Sequence, residues 1–156
     1  MIHIKNGRIY TMLSDEIIEI GEILIKDGKI IDVGLDIDTP NDCQVIDAEG
    51  RMVTPGFIEA HSHVGIGETG IGFEGSDYNE SIDPITPHLR AIDAINPMDS
   101  ALQEAYEAGV TTAVTGPGSA NVVGGTAMAI KTYGHRIDDM VIKDPVAMKV
   151  AFGENP

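Results

Sequence analysis

The sequence predicts an α/β protein with a β-rich N-terminal part, and three observations carry that assignment. Residues 1–52 alternate apolar and polar side chains between Asn-Gly, Asp-Gly and Glu-Gly pairs, the pattern of short antiparallel strands joined by tight turns. Residues 53–115 change to an apolar strand, a long loop, an amphipathic helix and a β-branched strand, the order of a βαβ unit. Hydrophobic residues make up 42% and aromatics only 4%, with no Trp, so the core must be aliphatic. At 156 residues there is room for one domain, or for a small domain and part of a larger one, at roughly 100–200 residues per domain. The expected division is residues 1–52 and 53–156.

In the first part, Ile2 and Ile4 alternate with His3 and Lys5, and Asn6-Gly7 signals a hairpin whose return strand covers residues 8–13. His3 has no motif around it and is expected to face solvent. Residues 17–26 and 29–33 flank Asp27-Gly28, a pair that tolerates the positive φ angles of a type I′ turn. Val45 and Ile46 make another short strand, closed by Glu49-Gly50, so the whole reads as a β meander.

The second part opens on Val53-Thr-Pro-Gly-Phe-Ile-Glu-Ala-His61-Ser-His63. Pro55 and Gly56 suit a strand entry. If residues 56–61 are extended, the period of two sends His61 and His63 to one face, with Cα atoms roughly 6.6 Å apart. Two neutral imidazoles on a rigid strand supply half of a four-coordinate shell for a divalent transition metal, which needs nitrogen donors at about 2.0–2.1 Å.

Gly65, Gly67, Gly70, Gly72 and Gly75 then interrupt regular structure. The connection over residues 64–95 exceeds the roughly 12–15 residues beyond which an unstructured loop is usually functional or disordered, and its place after the histidines favours function. Within it, Asp83-Pro-Ile-Thr-Pro87-His88-Leu-Arg90 is stiffened by two prolines, which makes His88 and Arg90 substrate-contact candidates. Asn96-Pro97-Met-Asp99 reads as a helix start, with Asn as cap and Pro in the first turn. Met98, Ala101, Leu102, Ala105 and Tyr106 form one apolar stripe, and Gly109 ends the helix.

The β-branched run over residues 110–115 suits a strand buried on both faces and parallel to the first. Gly116-Pro-Gly-Ser119-Ala-Asn121 follows at the same end of the sheet as the histidines, where α/β proteins place ligands, so Ser119 and Asn121 join the substrate-contact candidates. Residues 126–133 and 140–142 fit either strands or short helical pieces. Residues 146–152 read as a third buried strand.

Ten basic against twenty-five acidic residues give 10 − 25 = −15, with no Lys/Arg cluster. Nucleic acid and anionic membrane surfaces need a basic footprint and are poor partners. Cys43 is alone, so no intrachain disulfide is possible. With no apolar leader and no run of membrane-spanning length, the expected location is cytoplasmic.

The β-rich start, the Val-Thr-Pro-Gly-Phe-Ile-Glu-Ala-His-Ser-His stretch and the later Gly-Val-Thr-Thr strand together resemble the start of the amidohydrolase superfamily, most closely its imidazolonepropionase-like branch. The resemblance implies a small β-sandwich segment followed by the first strands of an incomplete (β/α)8 TIM-like barrel. It also implies that His61 and His63 end the first barrel strand and bind one or two divalent metals, zinc being expected. Where the family often carries Asp two residues before the first histidine, this chain has Glu59, which is not taken as a ligand. Some members complete the site with a carboxylate or a carboxylated lysine from a middle strand; Glu154, just past a strand end, is the candidate here and Lys149 the alternative.

A barrel takes about 250 residues, so this chain offers three of eight strands, and the family's later histidines and general-base Asp have no positions in it. The implied activity is metal-dependent hydrolysis of an amide or cyclic amide C–N bond, with the isolated chain inert and prone to associate, as a homo-oligomer or otherwise, through exposed barrel edges. The alternative is a non-catalytic protein of the same fold, or a β-rich binding or scaffold module.

Overall fold

A computed structural model describes residues 1–153. The chain forms two compact units, Met1–Pro55 and Gly56–Pro156, each with its own mixed sheet.

In the first unit, β1 (Ile2–Tyr10), β2 (Ile17–Lys26) and β3 (Lys29–Gly34) form an antiparallel meander with one strand fewer than expected, while β4 (Gln44–Asp47) and β5 (Met52–Val53) return parallel to β1. The sheet order is β3-β2-β1-β4, with β5 also paired to β1. Asp27 and Gly28 adopt φ of 51° and 73°, as the turn between β2 and β3 requires. Asn6-Gly7 is not a hairpin. Asn6 takes φ 55° inside β1, the register with β2 shifts between Ile4 and Gly7, and its side chain donates to Asp47 Oδ1 at 3.0 Å. The Asn-Gly pair therefore makes a bulge in a continuous strand, since a pair that tolerates positive φ serves either purpose.

The expectation for His3 is also overturned, because its side chain is fully buried. Its Nε2 lies 3.0 Å from Glu22 Oε2 and its Nδ1 2.9 Å from Thr39 Oγ1, while Glu22 accepts from the Ile37 amide at 3.0 Å and pairs with Lys5 Nζ at 3.2 Å. A buried imidazole is tolerated because both nitrogens have partners. Burial works against the Glu22 charge, but the Ile37 amide, Lys5 and His3 outweigh it and hold the carboxyl below its ordinary pKa. Ile9, Ile23, Leu24 and Ile37 supply the apolar core around this group.

In the second unit, β6 (Phe57–Ser62), β7 (Val110–Thr115), β8 (Val123–Lys131) and β9 (Val141–Val150) pair in that order. β6 and β7 are parallel, as a βαβ unit demands; β8 is antiparallel to both β7 and β9, so β6, β7 and β9 share one direction. The sequence left residues 126–133 open, and most of that run belongs to β8, whose Met128 and Ile130 are fully buried. The third strand starts earlier than expected, at Val141, and is mostly exposed rather than buried. An apolar run of this length does not by itself tell which neighbours cover it. β6 is likewise exposed at the sheet edge, with Phe57 57% and Ile58 69% accessible.

Helix α1 (Ser100–Glu107) begins three residues later than the Asn-Pro signal suggests. Asp99 is the cap, accepting from the Ala101 amide, whereas Asn96 Oδ1 accepts from the Met98 amide at 2.9 Å in a local turn that precedes the helix. Gly109 follows the helix at φ 89°, as expected of a helix stop. A short helix, α2 (Ile137–Met140), leads into β9. Leu102, Ile66, Ala91, Ile95, Met128, Ile130 and Met140 form the core of this unit. Ile66, Ala91 and Ile95 come from residues 64–95, which are folded onto the sheet rather than loose: Thr86 donates to the Val123 carbonyl at 2.8 Å and Asn96 to that of Gly65 at 2.8 Å.

Candidate metal centre

The C-terminal end of β6 is fastened to that of β7 by a set of short polar contacts. Ser62 Oγ donates to the Val114 carbonyl at 2.9 Å, Thr115 Oγ1 to the Val64 carbonyl at 2.8 Å, and the Gly116 amide to the Ser62 carbonyl at 3.2 Å. β-branched and hydroxyl residues at these positions thus give both strand ends a fixed relation. Gly116 must be glycine for this: a Cβ there would meet Ala127 Cβ at 2.5 Å and Ala127 Cα at 3.0 Å.

On this frame the two histidines come together, with ring centroids 5.9 Å apart and planes at 86°. His63 Nδ1 lies 2.7 Å from the Gly116 carbonyl oxygen. A carbonyl can only accept, so Nδ1 carries the proton and Nε2 keeps its lone pair for an incoming ion. This is the outer-sphere arrangement that metal-binding histidines use. His61 is exposed, and its backbone amide donates to Glu59 Oε1 at 2.9 Å, which occupies that carboxylate along its own strand.

The other contact to His61 comes from β9, where Lys149 Nζ lies 3.5 Å from His61 Nε2. Lys149 and His61 share a cavity of about 240 Å³ with Ser62, Gly116, Ala147 and Met148. Two rings bound to one tetrahedral ion at about 2.0–2.1 Å per nitrogen place their centroids roughly 5 Å apart, so the observed pair, at 5.9 Å, stands slightly wider than a shared ion would hold it. No group of three or more His, Cys, Asp or Glu able to hold an ion occurs among the described residues. The fit is therefore that of half a shell. Glu154 lies outside the described residues.

The remaining candidates sit around this centre in different ways. Ser119 lines a second cavity of about 320 Å³ together with His63, Tyr78 and Asn79. Asn121 is 2% exposed and its side-chain amide donates to the Asp83 carbonyl at 2.7 Å, so it ties the proline-stiffened segment to the end of β7. Arg90 is held by Asp93 through two bonds of 3.0 and 2.8 Å and lines a cavity of about 290 Å³ with Tyr78, Asn79 and Glu80; the pairing holds the Asp93 carboxyl below its ordinary pKa. His88 is exposed on the same segment. One residue escaped the sequence reading altogether: the Tyr78 ring stacks on His63 at a centroid distance of 5.0 Å and an interplanar angle of 13°. Only the position of this lone tyrosine, in a glycine-rich loop after the histidines, hinted at it.

Residues 44–81, which include the histidine pair, match the family model described as "Amidohydrolase family". The amidohydrolase tasK of Hapsidospora irregularis is 37% identical over 151 residues, covering 87% of this chain and 15% of the relative. A solved amidohydrolase from Thermotoga maritima superposes on all of this chain with a TM-score of 0.91 and 41% identity, over 40% of its own length. The chain matches the amidohydrolase family. It matches the N-terminal portion of larger amidohydrolases. An imidazolonepropionase of Sphingopyxis alaskensis is 39% identical over 83 residues, covering 48% of this chain and 21% of the relative. Other homologues carry the names of adenine deaminases and an allantoinase, so the named relatives are hydrolases of carbon–nitrogen bonds.

Proposed function

We propose that this chain supplies the first half of the metal site of a hydrolase that cleaves an amide or cyclic amide C–N bond. The observation that carries the proposal is the His63 geometry: Nδ1 is committed to the Gly116 carbonyl at 2.7 Å, which turns Nε2 into a free donor beside His61. In this reading β6, β7 and β9 are strands of a (β/α)8 barrel, and residues 1–52 contribute to a small β-sandwich. The parallel β6–β7 pair supports this, as does the gathering of His61, Gly116 and Lys149 at the C-terminal ends of β6, β7 and β9, the face where barrel enzymes work, while β8 runs antiparallel between β7 and β9 and stands outside that pattern.

His61 and His63 would hold a divalent metal, zinc being the expected ion because two imidazoles suit it. Such an ion supplies Lewis acidity to a scissile carbonyl and acidifies a water toward a pKa of about 7. The chain's own part is to bind and orient. Gly116 fixes the His63 tautomer, Ser62 and Thr115 lock the strand ends, and Ser119, His88 and Arg90 lie on the segments that would face a small-molecule substrate. Glu154 is the proposed further ligand. Lys149 is the alternative: as an ammonium it donates to His61 Nε2 and competes for that lone pair, and as a carboxylated amine it would add a donor. The general base comes from residues outside this chain, so the 156-residue chain alone is expected to be inert, and its expected setting is cytoplasmic.

Metal analysis of the longest natural form that carries this sequence tests the reading. Bound zinc that is lost in the double variant His61→Ala, His63→Ala supports it. No bound metal, or the same content in the double variant, sinks it.

A further inference from the structure

A single hydrogen bond from Nδ1 leaves the His63 ring free to swing about that contact, yet a metal ligand must present its other nitrogen in one direction. The second restraint comes from Tyr78. Its ring lies nearly parallel to that of His63, at 13°, with 5.0 Å between centroids, in the offset geometry that aromatic pairs favour. We infer that Tyr78 is a positioning residue for His63, holding the imidazole plane so that Nε2 faces the site. The inference rests on the proposed metal-binding role of His63 for its purpose, though the restraint itself needs no metal.

Three features show that the loop is built around this ring. The Tyr78 carbonyl accepts from the Gly118 amide at 2.6 Å, which anchors the residue to the segment that follows β7. The neighbouring Asn79 Oδ1 accepts from the Ala120 amide at 3.3 Å, a second tie to the same segment. Two glycines clear space for the ring: a Cβ at Gly67 would lie 3.1 Å from Tyr78 Cδ1 and Cε1, and one at Gly118 would lie 2.8 Å from Cδ2. Gly67 and Gly118 come from opposite sides of the site in sequence; Gly67 gives way to the Tyr78 ring, and Gly118 to that ring and, more closely still, to the Asn79 side-chain amide. Tyr78 also lines the cavity shared with His63 and the one shared with Arg90. A residue that merely filled space would need neither the parallel stacking nor anchors at both its own carbonyl and the next side chain.

The test follows the His63 imidazole by nitrogen-15 NMR in protein labelled at histidine, alongside titration with zinc alone, in wild type, Tyr78→Phe, Tyr78→Leu and Gly67→Ala. Wild type and Tyr78→Phe should show one ordered Nδ1–H tautomer. Tyr78→Leu should show tautomer mixing and weaken zinc about tenfold, in the range of outer-sphere substitutions, with Phe restoring affinity to within about twofold. Gly67→Ala displaces the ring by a few tenths of an ångström without removing it, and should shift the His63 signals even if the leucine variant fails to fold. If wild type binds no zinc, the metal reading fails while the NMR comparison still decides the role of Tyr78. Unchanged His63 signals in both Tyr78→Leu and Gly67→Ala would overturn it.

Discussion

His3 and His63 illustrate how differently two histidines can be built from sequence that gives little warning. Each has Nδ1 committed to an oxygen, but His3 spends Nε2 on Glu22, whereas His63 keeps Nε2 open. The first is structural. Replacing Glu22 with Ala would strand the buried His3 nitrogen and the Ile37 amide, which costs about 1–3 kcal/mol per unsatisfied group, and should lower the denaturation midpoint of the Met1–Pro55 unit. Because the folded carboxyl titrates below its unfolded value, its contribution is fully present above the unfolded pKa of about 4.3 and is lost as pH falls through the folded one. Acid titration of stability should therefore steepen below about pH 4 in wild type, and Glu22→Gln should flatten that component. His61 and His63 were legible because strand alternation alone puts them on one face. His3 was not, since its partners Glu22 and Thr39 lie 19 and 36 residues away and alternation cannot say which face of β1 is covered.

Among the elements, most strands with local signals were read from sequence, Asn6-Gly7 being the exception because a bulge and a hairpin share that signal, and those with remote partners were not. The Asp27-Gly28 turn and the β6–α1–β7 unit each carry their instructions within a few residues. β8 and β9 depend on each other and on β7, so their antiparallel pairing left no short-range mark. The helix start was misplaced because Asn96 and Asp99 are both good capping residues, and only Asp99 also reaches the loop, accepting from the Gly65 amide at 3.2 Å and from Thr69 Oγ1 at 2.9 Å. Asp99→Ala should thus loosen both elements at once, costing about 1–2 kcal/mol from the cap with a further loss from the loop bonds. Hydrogen exchange would show the helix start and residues 65–69 becoming unprotected together. Gly116→Ala probes the junction of β7 with the site. Its Cβ would collide with Ala127 backbone, so the carbonyl that holds His63 must move, and zinc affinity should fall by about 10–100-fold.

For the molecule as a whole, each unit leaves apolar surface uncovered: Ile30, Ile31 and Leu35 in the first, Phe57, Ile58 and Met148 in the second. β6 also presents an open sheet edge. Patches of this kind mark sites of association. Sedimentation velocity on the 156-residue chain should show concentration-dependent association that weakens when Ile58 is replaced by Lys. The family was legible because its signature is one contiguous stretch around the histidines, whereas the substrate was not, because specificity resides in loops gathered from the whole barrel. The central claim, that His61 and His63 together hold a metal ion, is tested most directly by X-ray absorption on the zinc-loaded protein. Two imidazole ligands in a nitrogen shell at about 2.0–2.1 Å are expected, both lost in His61→Ala, His63→Ala. A zinc environment without imidazole, or one that the double variant leaves unchanged, would contradict it.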